Sequence, residues 1–347
     1  MVAPVTDSFD DLALSASLLQ VLQELGHTRP TAIQVACIPA LLAGRDVIGQ
    51  SRTGSGKTAA FALPLLQGVD LARRELQGLV LCPTRELAAQ VARECRTLGR
   101  RLPSLAVVEL AGGQPIGPQL TALERGVHLA VGTPGRVLDH LGRGSVDVSG
   151  VAQVVLDEAD RMLDMGFGAD VETLLGQLPR RRRTALFSAT FPRSIASLSE
   201  RVQRDAVRLT IDDPREDGPP VAQYRVVCEV DHAFEALVDV LRRFEHESAL
   251  IFCNFKASVR GLAERLVAAG FSAARLDGDL AQFQRDQVLA RFRNGSVRLL
   301  VATDVAGRGL DVDGLDLVVN YELPQQAELY VHRVGRTGRA GRAGVAV

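Results

Sequence analysis

Two parallel-sheet α/β domains in tandem, with helices on both faces of each sheet, are predicted for this chain of 347 residues, on three observations. Short apolar runs alternate with amphipathic helical stretches, the pattern of parallel strands joined by crossover helices. A glycine-rich segment, Ser51 to Thr58, sits between an apolar strand candidate at Asp46 to Gly49 and a helical stretch beginning at Ala59. The second half then repeats the first at an offset of about 170 residues: Leu79 to Pro83 resembles Leu250 to Asn254, and Ala130 to Thr133 resembles Leu300 to Thr303. A length beyond the ~100–200 residues usual for one domain agrees.

Taken in order, Phe9 to Ala43 reads as helical, with apolar positions at Leu12, Leu14, Leu18, Leu19, Leu22 and Leu25, interrupted by Gly26. The glycine-rich segment follows: Ser51, Arg52, Thr53, Gly54, Ser55, Gly56, Lys57, Thr58. A turn of this kind aims successive backbone N–H groups at one point, and the helix N-terminus adds partial positive charge. Lys57 would reach the outer phosphates of a nucleotide, and the Thr58 hydroxyl would take a Mg²⁺ coordination site. Ser51 stands where the strict phosphate-loop pattern has glycine, so taken alone the segment also reads as an ordinary Gly/Ser loop.

Further strand candidates run over Leu79–Cys82, Leu105–Leu110, His128–Val131, Val154–Leu156 and Ala185–Phe187. Each ends at once in a polar or glycine-rich group, and in open parallel sheets ligands bind beyond the carboxyl ends of the strands. Those groups should therefore share one edge with the phosphate loop. After Val154–Leu156 come Asp157 and Glu158. Asp157 can hold Mg²⁺ through water opposite Thr58, and Glu158 can orient and deprotonate a water attacking the terminal phosphate. A solvated acidic loop is the alternative, and the phosphate loop upstream argues against it.

Residues 210–221, with three prolines around Pro214 to Pro220, read as a semi-rigid linker between domains at 1–209 and 222–347. A long surface loop is the other reading, and the internal repeat favours the linker. In the second half His332, Arg333, Arg336 and Arg339 place arginines three apart among small residues. Arginine forks suit phosphate oxygens, so Arg336 and Arg339 read either as fingers on a terminal phosphate or as a basic patch for RNA phosphates.

Composition narrows the class. Apolar residues make up 46% and charged residues 23%, and no apolar run approaches the ~20 residues of a membrane span. Met1 to Asp11 shows no basic segment followed by an apolar stretch, so no secretory leader is expected and a cytoplasmic location is. Cys37, Cys82, Cys95, Cys228 and Cys253 form no Cys-x-x-Cys or Cys/His cluster, which argues against zinc and a disulfide framework. Net charge is −1, so no global basic field is present. Lys57 and Lys256 are the only lysines, which makes a lysine within the loop more telling.

Asp157-Glu158-Ala159-Asp160 joins Gly26 to Gln34, Pro83 to Leu87, Thr133 to Arg136, Ser188 to Thr190, Ala302 to Asp311 and His332 to Arg339 in an order that resembles the DEAD-box RNA helicases. Gly112 to Pro115 and Arg201 to Asp205 look like the bacterial DbpA branch of that family. The resemblance runs from Phe9 to the last residue and implies two RecA-like domains, ATP and Mg²⁺ as cofactors, and RNA as partner. It implies that Gln34 reads the adenine edge, that Phe9 packs on the base and that Asp311 contacts the ribose. Ser188 and Thr190 would hydrogen-bond near Asp160 and His332, linking hydrolysis to domain closure. Thr84, Arg85, Gly113, Thr133 and Arg136 would hold the RNA backbone from the first domain, and Gly278, Gln282, Arg285 and Thr303 from the second. The low aromatic content, 4% with no tryptophan, fits recognition of backbone rather than stacking on bases.

Departures from the family pattern are Ser51 for alanine, His27 for an aromatic, Ala32 for proline and Gly307 for alanine; none removes a charged or metal-binding group. The chain is expected to stop inside a strand of the second domain, at Gly344 to Val347, without the extension that gives the DbpA branch its ribosomal RNA specificity. The expected activity is RNA-stimulated ATP hydrolysis that remodels short RNA duplexes, by a monomer, in ribosome assembly. A DNA helicase of the same superfamily and a non-catalytic ATP-gated RNA clamp are the rivals. The Gln34 segment and Thr133 to Arg136 argue against the first, and Lys57, Glu158, Arg336 and Arg339 against the second.

Overall fold

The computed structural model describes residues 6–51, 54–211, 221–304, 315–338 and 344–347. The chain divides into two compact units, Met1–Asp213 and Pro214–Val347. Most of the expected linker, at 212–220, lies outside the described residues.

The first unit is built on strands β1 (Val47–Gln50), β2 (Gly78–Leu81), β3 (Val107–Leu110), β4 (Leu129–Gly132), β5 (Gln153–Leu156), β6 (Arg183–Ser188) and β7 (Val207–Thr210). They form one sheet in the order β3-β4-β2-β5-β6-β1-β7. Every pairing is parallel. Its helices are α1 (Ala16–Glu24), α2 (Ala32–Leu42), α3 (Lys57–Gln67), α4 (Arg85–Leu98), α5 (Gly117–Glu124), α6 (Pro134–Gly142), α7 (Ala159–Asp164), α8 (Gly168–Gln177) and α9 (Arg193–Val202). Alternation along the strands supplies two cores. Val80 and Cys82 face one layer of helices, while Leu79 and Leu81 face the other.

The second unit has β8 (Ala222–Gln223), β9 (Ala249–Cys253), β10 (Ala273–Leu276), β11 (Leu299–Thr303), β12 (Leu317–Asn320) and β13 (Val345–Ala346), with α10 (Ala233–Arg243), α11 (Lys256–Ala268), α12 (Gln282–Arg293) and α13 (Ala327–Val334). The sheet order is β10-β11-β9-β12-β13-β8, again parallel throughout. The repeat seen in the sequence is topological. β2 and β9 both lie third from the sheet edge, and β4 and β11 both lie second. Ile251 and Cys253 face one core and Leu250 and Phe252 the other, as Val80, Cys82, Leu79 and Leu81 do in the first unit.

Three local features bear on these expectations. Phe9–Ala43 is helical and interrupted at Gly26, at φ +77°, as expected, but its first turn, Phe9–Leu12, is a 3-10 turn set apart from α1. β7 and β8 were not foreseen, since Val207–Thr210 is only half-buried and β8 has two residues. Gly344 to Val347 carries a strand paired on both sides, Val345 lying opposite Leu317 and Ala222.

Candidate active site

Helix α3 begins at Lys57, two residues before the sequence suggests, with Gly56 as its N-cap at φ +87°. Gly54, at φ +85°, makes the other left-handed turn of the phosphate loop. These conformations suit glycine, and a Cβ at Gly56 would meet Gln34 Nε2 at 2.6 Å. Lys57 is 6% exposed, and its Nζ donates to the Ser51 carbonyl at 2.8 Å, closing the loop on itself. The Ser51 and Ser55 hydroxyls share a 2.7 Å hydrogen bond, giving Ser51 a bracing contact that alanine lacks. Burial lowers the Lys57 pKa, opposed by the charges of Asp157, Glu158 and Asp160. Thr58 lies in the first turn of α3, while Arg52 and Thr53 lie outside the described residues.

Gln34 is engaged at both ends of its amide. Its Oε1 accepts from Thr31 N–H at 2.9 Å, and its Nε2 donates to the Gly56 carbonyl at 3.2 Å. The Thr31 hydroxyl donates to the Ser55 carbonyl at 2.8 Å, so the start of α2 is tied to the phosphate loop at two points. Phe9 is 5% exposed and belongs to the first core.

The carboxylates stand at the end of β5. Asp157 is 3% exposed and accepts from Glu158 N–H at 3.0 Å. Burial, then the neighbouring charge of Glu158, pushes its pKa up to about 7, with Lys57 pulling the other way. Glu158 takes left-handed backbone angles, φ 49° and ψ 52°, costing roughly 1–2 kcal/mol for a non-glycine residue. That turn starts α7 and sends the Glu158 side chain back to Arg161, whose Nη1 donates to its carboxylate at 3.0 Å. Sequence reasoning missed Arg161; a cation three residues along a helix was the available signal. Asp160 is buried, which would raise its pKa. Hydrogen bonds from Thr190 N–H at 2.9 Å, the Thr190 hydroxyl at 2.8 Å and Arg161 N–H at 3.0 Å hold it below the ordinary value instead. Thr190 and Asp160 are thus brought together, and the Ser188 hydroxyl donates to the Thr190 carbonyl at 2.6 Å.

The rim beyond β2, β3 and β4 carries Thr84, Arg85, Gly113, Thr133 and Arg136. Thr84 caps α4 by accepting from Leu87 N–H at 3.2 Å, and Arg85 lies along Gly112. Gly113 is at φ +82°, and Thr133 caps α6. Arg136 donates to Gln119 Oε1 at 3.0 Å. Gln119, 7% exposed, also meets His140 Nε2 at 2.9 Å and donates to the Ala111 carbonyl at 2.9 Å, a brace the sequence did not disclose.

In the second unit Gly278 lies under Lys256, and Gln282 opens α12 with a bond to Asp286 at 3.1 Å. Arg285 donates to the Asp277 carbonyl at 3.4 Å, and Thr303 ends β11. Arg333, 1% exposed, bonds both Asp304 oxygens at 2.6 Å, the Glu322 carbonyl at 2.6 Å and Asn254 Oδ1 at 2.8 Å. It bolts α13 to the ends of β9, β11 and β12, with His332 beside it and the buried Arg336 one turn on. Sequence reasoning passed over Arg333 because an inward and an outward arginine look alike in a string. Asp311 and Arg339 lie outside the described residues.

A glycine-rich loop leading from an interior parallel strand into a helix, with a buried lysine near strand-end carboxylates, defines the class of phosphate-loop nucleotide-hydrolysing α/β proteins. The comparisons resolve that class. Residues 31–198 match the family model for the DEAD/DEAH box helicase, and residues 232–341 match the helicase conserved C-terminal domain. The chain is 48% identical over 323 residues to the ATP-dependent RNA helicase DbpA of Escherichia coli, covering 93% of this chain and 70% of that protein. It is 47% identical over 335 residues to DeaD of Klebsiella pneumoniae, covering 96% of this chain and 52% of that one, about half its length. Among solved structures it is similar to Saccharomyces cerevisiae Dbp5 bound to RNA and ADP BeF3, with a TM-score of 0.88, 32% identity, and 98% and 88% of the two chains covered. A DEAD box protein of Methanococcus jannaschii aligns at 40% identity with a TM-score of 0.60, over 98% and 92% of the chains. The chain belongs to the DEAD-box family of ATP-dependent RNA helicases.

Proposed function

We propose that this chain hydrolyses ATP in response to RNA and uses the cycle to separate or remodel short RNA duplexes. The observation that carries the proposal is the group formed by buried Lys57, Asp157 and Asp160 with half-buried Glu158, where the carboxylates that follow β5 face the phosphate-loop lysine. The loop and Lys57 would hold the phosphates, and Glu158 would take the proton from the attacking water while Arg161 orients its carboxylate. Mg²⁺ fits Asp157 and Thr58, because an ion that keeps waters and phosphate oxygens needs only one or two protein ligands. Burial and the Glu158 charge raise the Asp157 carboxyl to about 7 with Lys57 offsetting only part of the rise, so a dication there would favour its charged form. Bound there, the ion would neutralise phosphate charge.

In this reading the domains are 1–209 and 222–347, and RNA spanning them draws them together. Arg336 and Arg339 then reach the terminal phosphate, and Asp160, Ser188, Thr190 and His332 couple closure to hydrolysis. Thr84, Arg85, Gly113, Thr133 and Arg136, with Gly278, Gln282, Arg285 and Thr303, hold the RNA backbone. Asp311 holds the ribose. A Dbp5 structure with RNA and ADP BeF3, aligned over 98% of this chain, supports this partner and substrate. We extend the reading to a cytoplasmic monomer acting on ribosomal RNA, by likeness to DbpA. The test is Glu158→Gln, which keeps the shape and loses the base. ATP and RNA binding should persist while RNA-stimulated turnover falls by about 10²-fold or more. Turnover near that of the unmodified chain would overturn the assignment.

A further inference from the structure

The phosphate loop follows the carboxyl end of β1, and the amino end of the same strand carries a different chemistry. Arg45 stands just before β1, the run Arg180, Arg181, Arg182, Arg183 leads into β6, and Arg204 stands just before β7. β6, β1 and β7 are adjacent parallel strands, so all six arginines fall at one amino edge of the first sheet. At roughly 3.3 Å per residue that edge is on the order of 20 Å from the phosphate loop. The group is contiguous. A Cβ on Gly44 would meet Arg183 Cδ at 3.8 Å, which puts Arg183 beside the residue preceding Arg45. Asp46 links the strands, its Oδ1 accepting from Thr184 N–H and its Oδ2 from Arg204 N–H, each at 2.7 Å. Burial lowers the Arg182 pKa; Asp46 opposes the fall and Arg204 adds to it.

These cations outnumber the acids around them. Asp46 is buried with both oxygens engaged by backbone N–H groups, and Glu200, near the end of α9, and Asp205 are the exposed acids that flank Arg204 in the chain. Other surface arginines of this unit are paired: Arg73 with Glu75, Arg100 and Arg101 with Glu24, Arg201 with Glu172. Among the described residues none of the six forms an ion pair with a carboxylate. Three of them bond carbonyls instead, Arg45 that of Asp205 at 3.2 Å, Arg182 that of Pro179 at 2.9 Å and Arg183 that of Leu41 at 3.5 Å. Arg180, Arg181 and Arg204 are exposed. Arg182 Nε is buried without a hydrogen-bond partner, a donor that an anion at this edge would satisfy.

We propose that this amino edge is a second RNA contact, one that holds the phosphate backbone of a duplex flanking the strand engaged at the carboxyl edge. The inference rests on the RNA reading above and deepens it. Two observations favour nucleic acid over a protein partner. Arginine forks left without carboxylates match phosphate oxygens. Among the described residues the exposed large apolar and aromatic side chains, Tyr224, Val227 and Val230 among them, all lie in the second unit, so this edge lacks the anchors on which protein interfaces depend. With no exposed ring to stack on bases, the grip is electrostatic and reads no sequence. A duplex held here keeps the adjoining strand at high effective concentration for the other edge.

The test uses the full chain and two fluorescent probes, with affinities read by anisotropy across a salt series. One is an oligouridylate of about eight nucleotides, and the other is the same strand joined to a hairpin of about fifteen base pairs. The unmodified chain should bind the hairpin probe more tightly and with the steeper salt dependence. Arg180→Gln, Arg181→Gln and Arg204→Gln combined should weaken hairpin binding by about tenfold or more, lower its salt slope by about two and leave the short strand unaffected. Arg73→Gln, Arg101→Gln and Arg201→Gln combined remove the same charge from paired positions and should leave both probes unaffected. Equal binding of the two probes by the unmodified chain overturns the second contact. So does an equal loss on both probes in the first variant, which marks a structural role, or an equal loss in the second variant, which marks net charge alone. Unchanged hairpin binding in the first variant also overturns it, and leaves the edge to an acidic protein segment. Binding of neither probe, with no stimulation of ATP hydrolysis by RNA, overturns the RNA reading itself, a result separate from the others.

Discussion

Asp157 and Glu158 are neighbours with one charge type, yet their surroundings divide the work. Asp157 is buried, is raised to about 7, and has Lys57 as the cation opposing that rise. Glu158 keeps an arginine partner at 3.0 Å. A carboxyl raised on folding contributes stability fully present below its unfolded value of ~4 and lost as pH climbs through about 7. Above that pH the nucleotide-free protein carries the cost of an ionised buried acid. Asp157→Asn should therefore raise the thermal midpoint of the nucleotide-free chain at pH 8 by on the order of 5 °C, with a smaller gain at pH 5, while abolishing turnover. Scanning calorimetry at both pH values checks this, and a lower midpoint at pH 8 would refute it.

At the scale of elements, the contact between α2 and the phosphate loop carries the sharpest question. The family resemblance makes Gln34 a reader of adenine, whereas here both ends of its amide are engaged by Thr31 and Gly56. The two roles differ in what Gln34→Ala does. A base reader loses only the preference for ATP over GTP, since discrimination comes from unpaired groups in the wrong complex. A loop brace loses affinity for every nucleoside triphosphate alike, by about tenfold for two lost hydrogen bonds. We expect the brace to contribute, so both ATP and GTP should bind more weakly in Gln34→Ala. An unchanged affinity for GTP would leave adenine reading alone.

At the scale of the molecule, Asp157 and Glu158 lie in one unit and Arg336 and Arg339 in the other. If hydrolysis needs closure, Arg339→Ala should lower RNA-stimulated turnover by about 10³-fold or more while leaving ATP affinity without RNA nearly unchanged. A fragment from Met1 to Leu209 should bind nucleotide weakly and show no stimulation by RNA. A fragment that hydrolyses ATP at the full chain's rate, or a change confined to the Michaelis constant in Arg339→Ala, would end the closure reading.

The sequence alone determined the α/β class, the doubled unit and the place of the phosphate loop. Apolar alternation and a glycine-rich turn act over a few residues and leave their period in the string. It also placed the acidic group at a strand end, because Val154 to Leu156 runs directly into Asp157. Only the tertiary structure showed that Arg161 holds Glu158, that Gln119 braces Arg136, and that Arg333 turns inward to join three strand ends. Those partners come from contacts across sheet edges and helix turns, where identity says nothing of direction. The same holds for Arg45, Arg180, Arg181 and Arg204: composition counted them, and only the strand order set them on one edge.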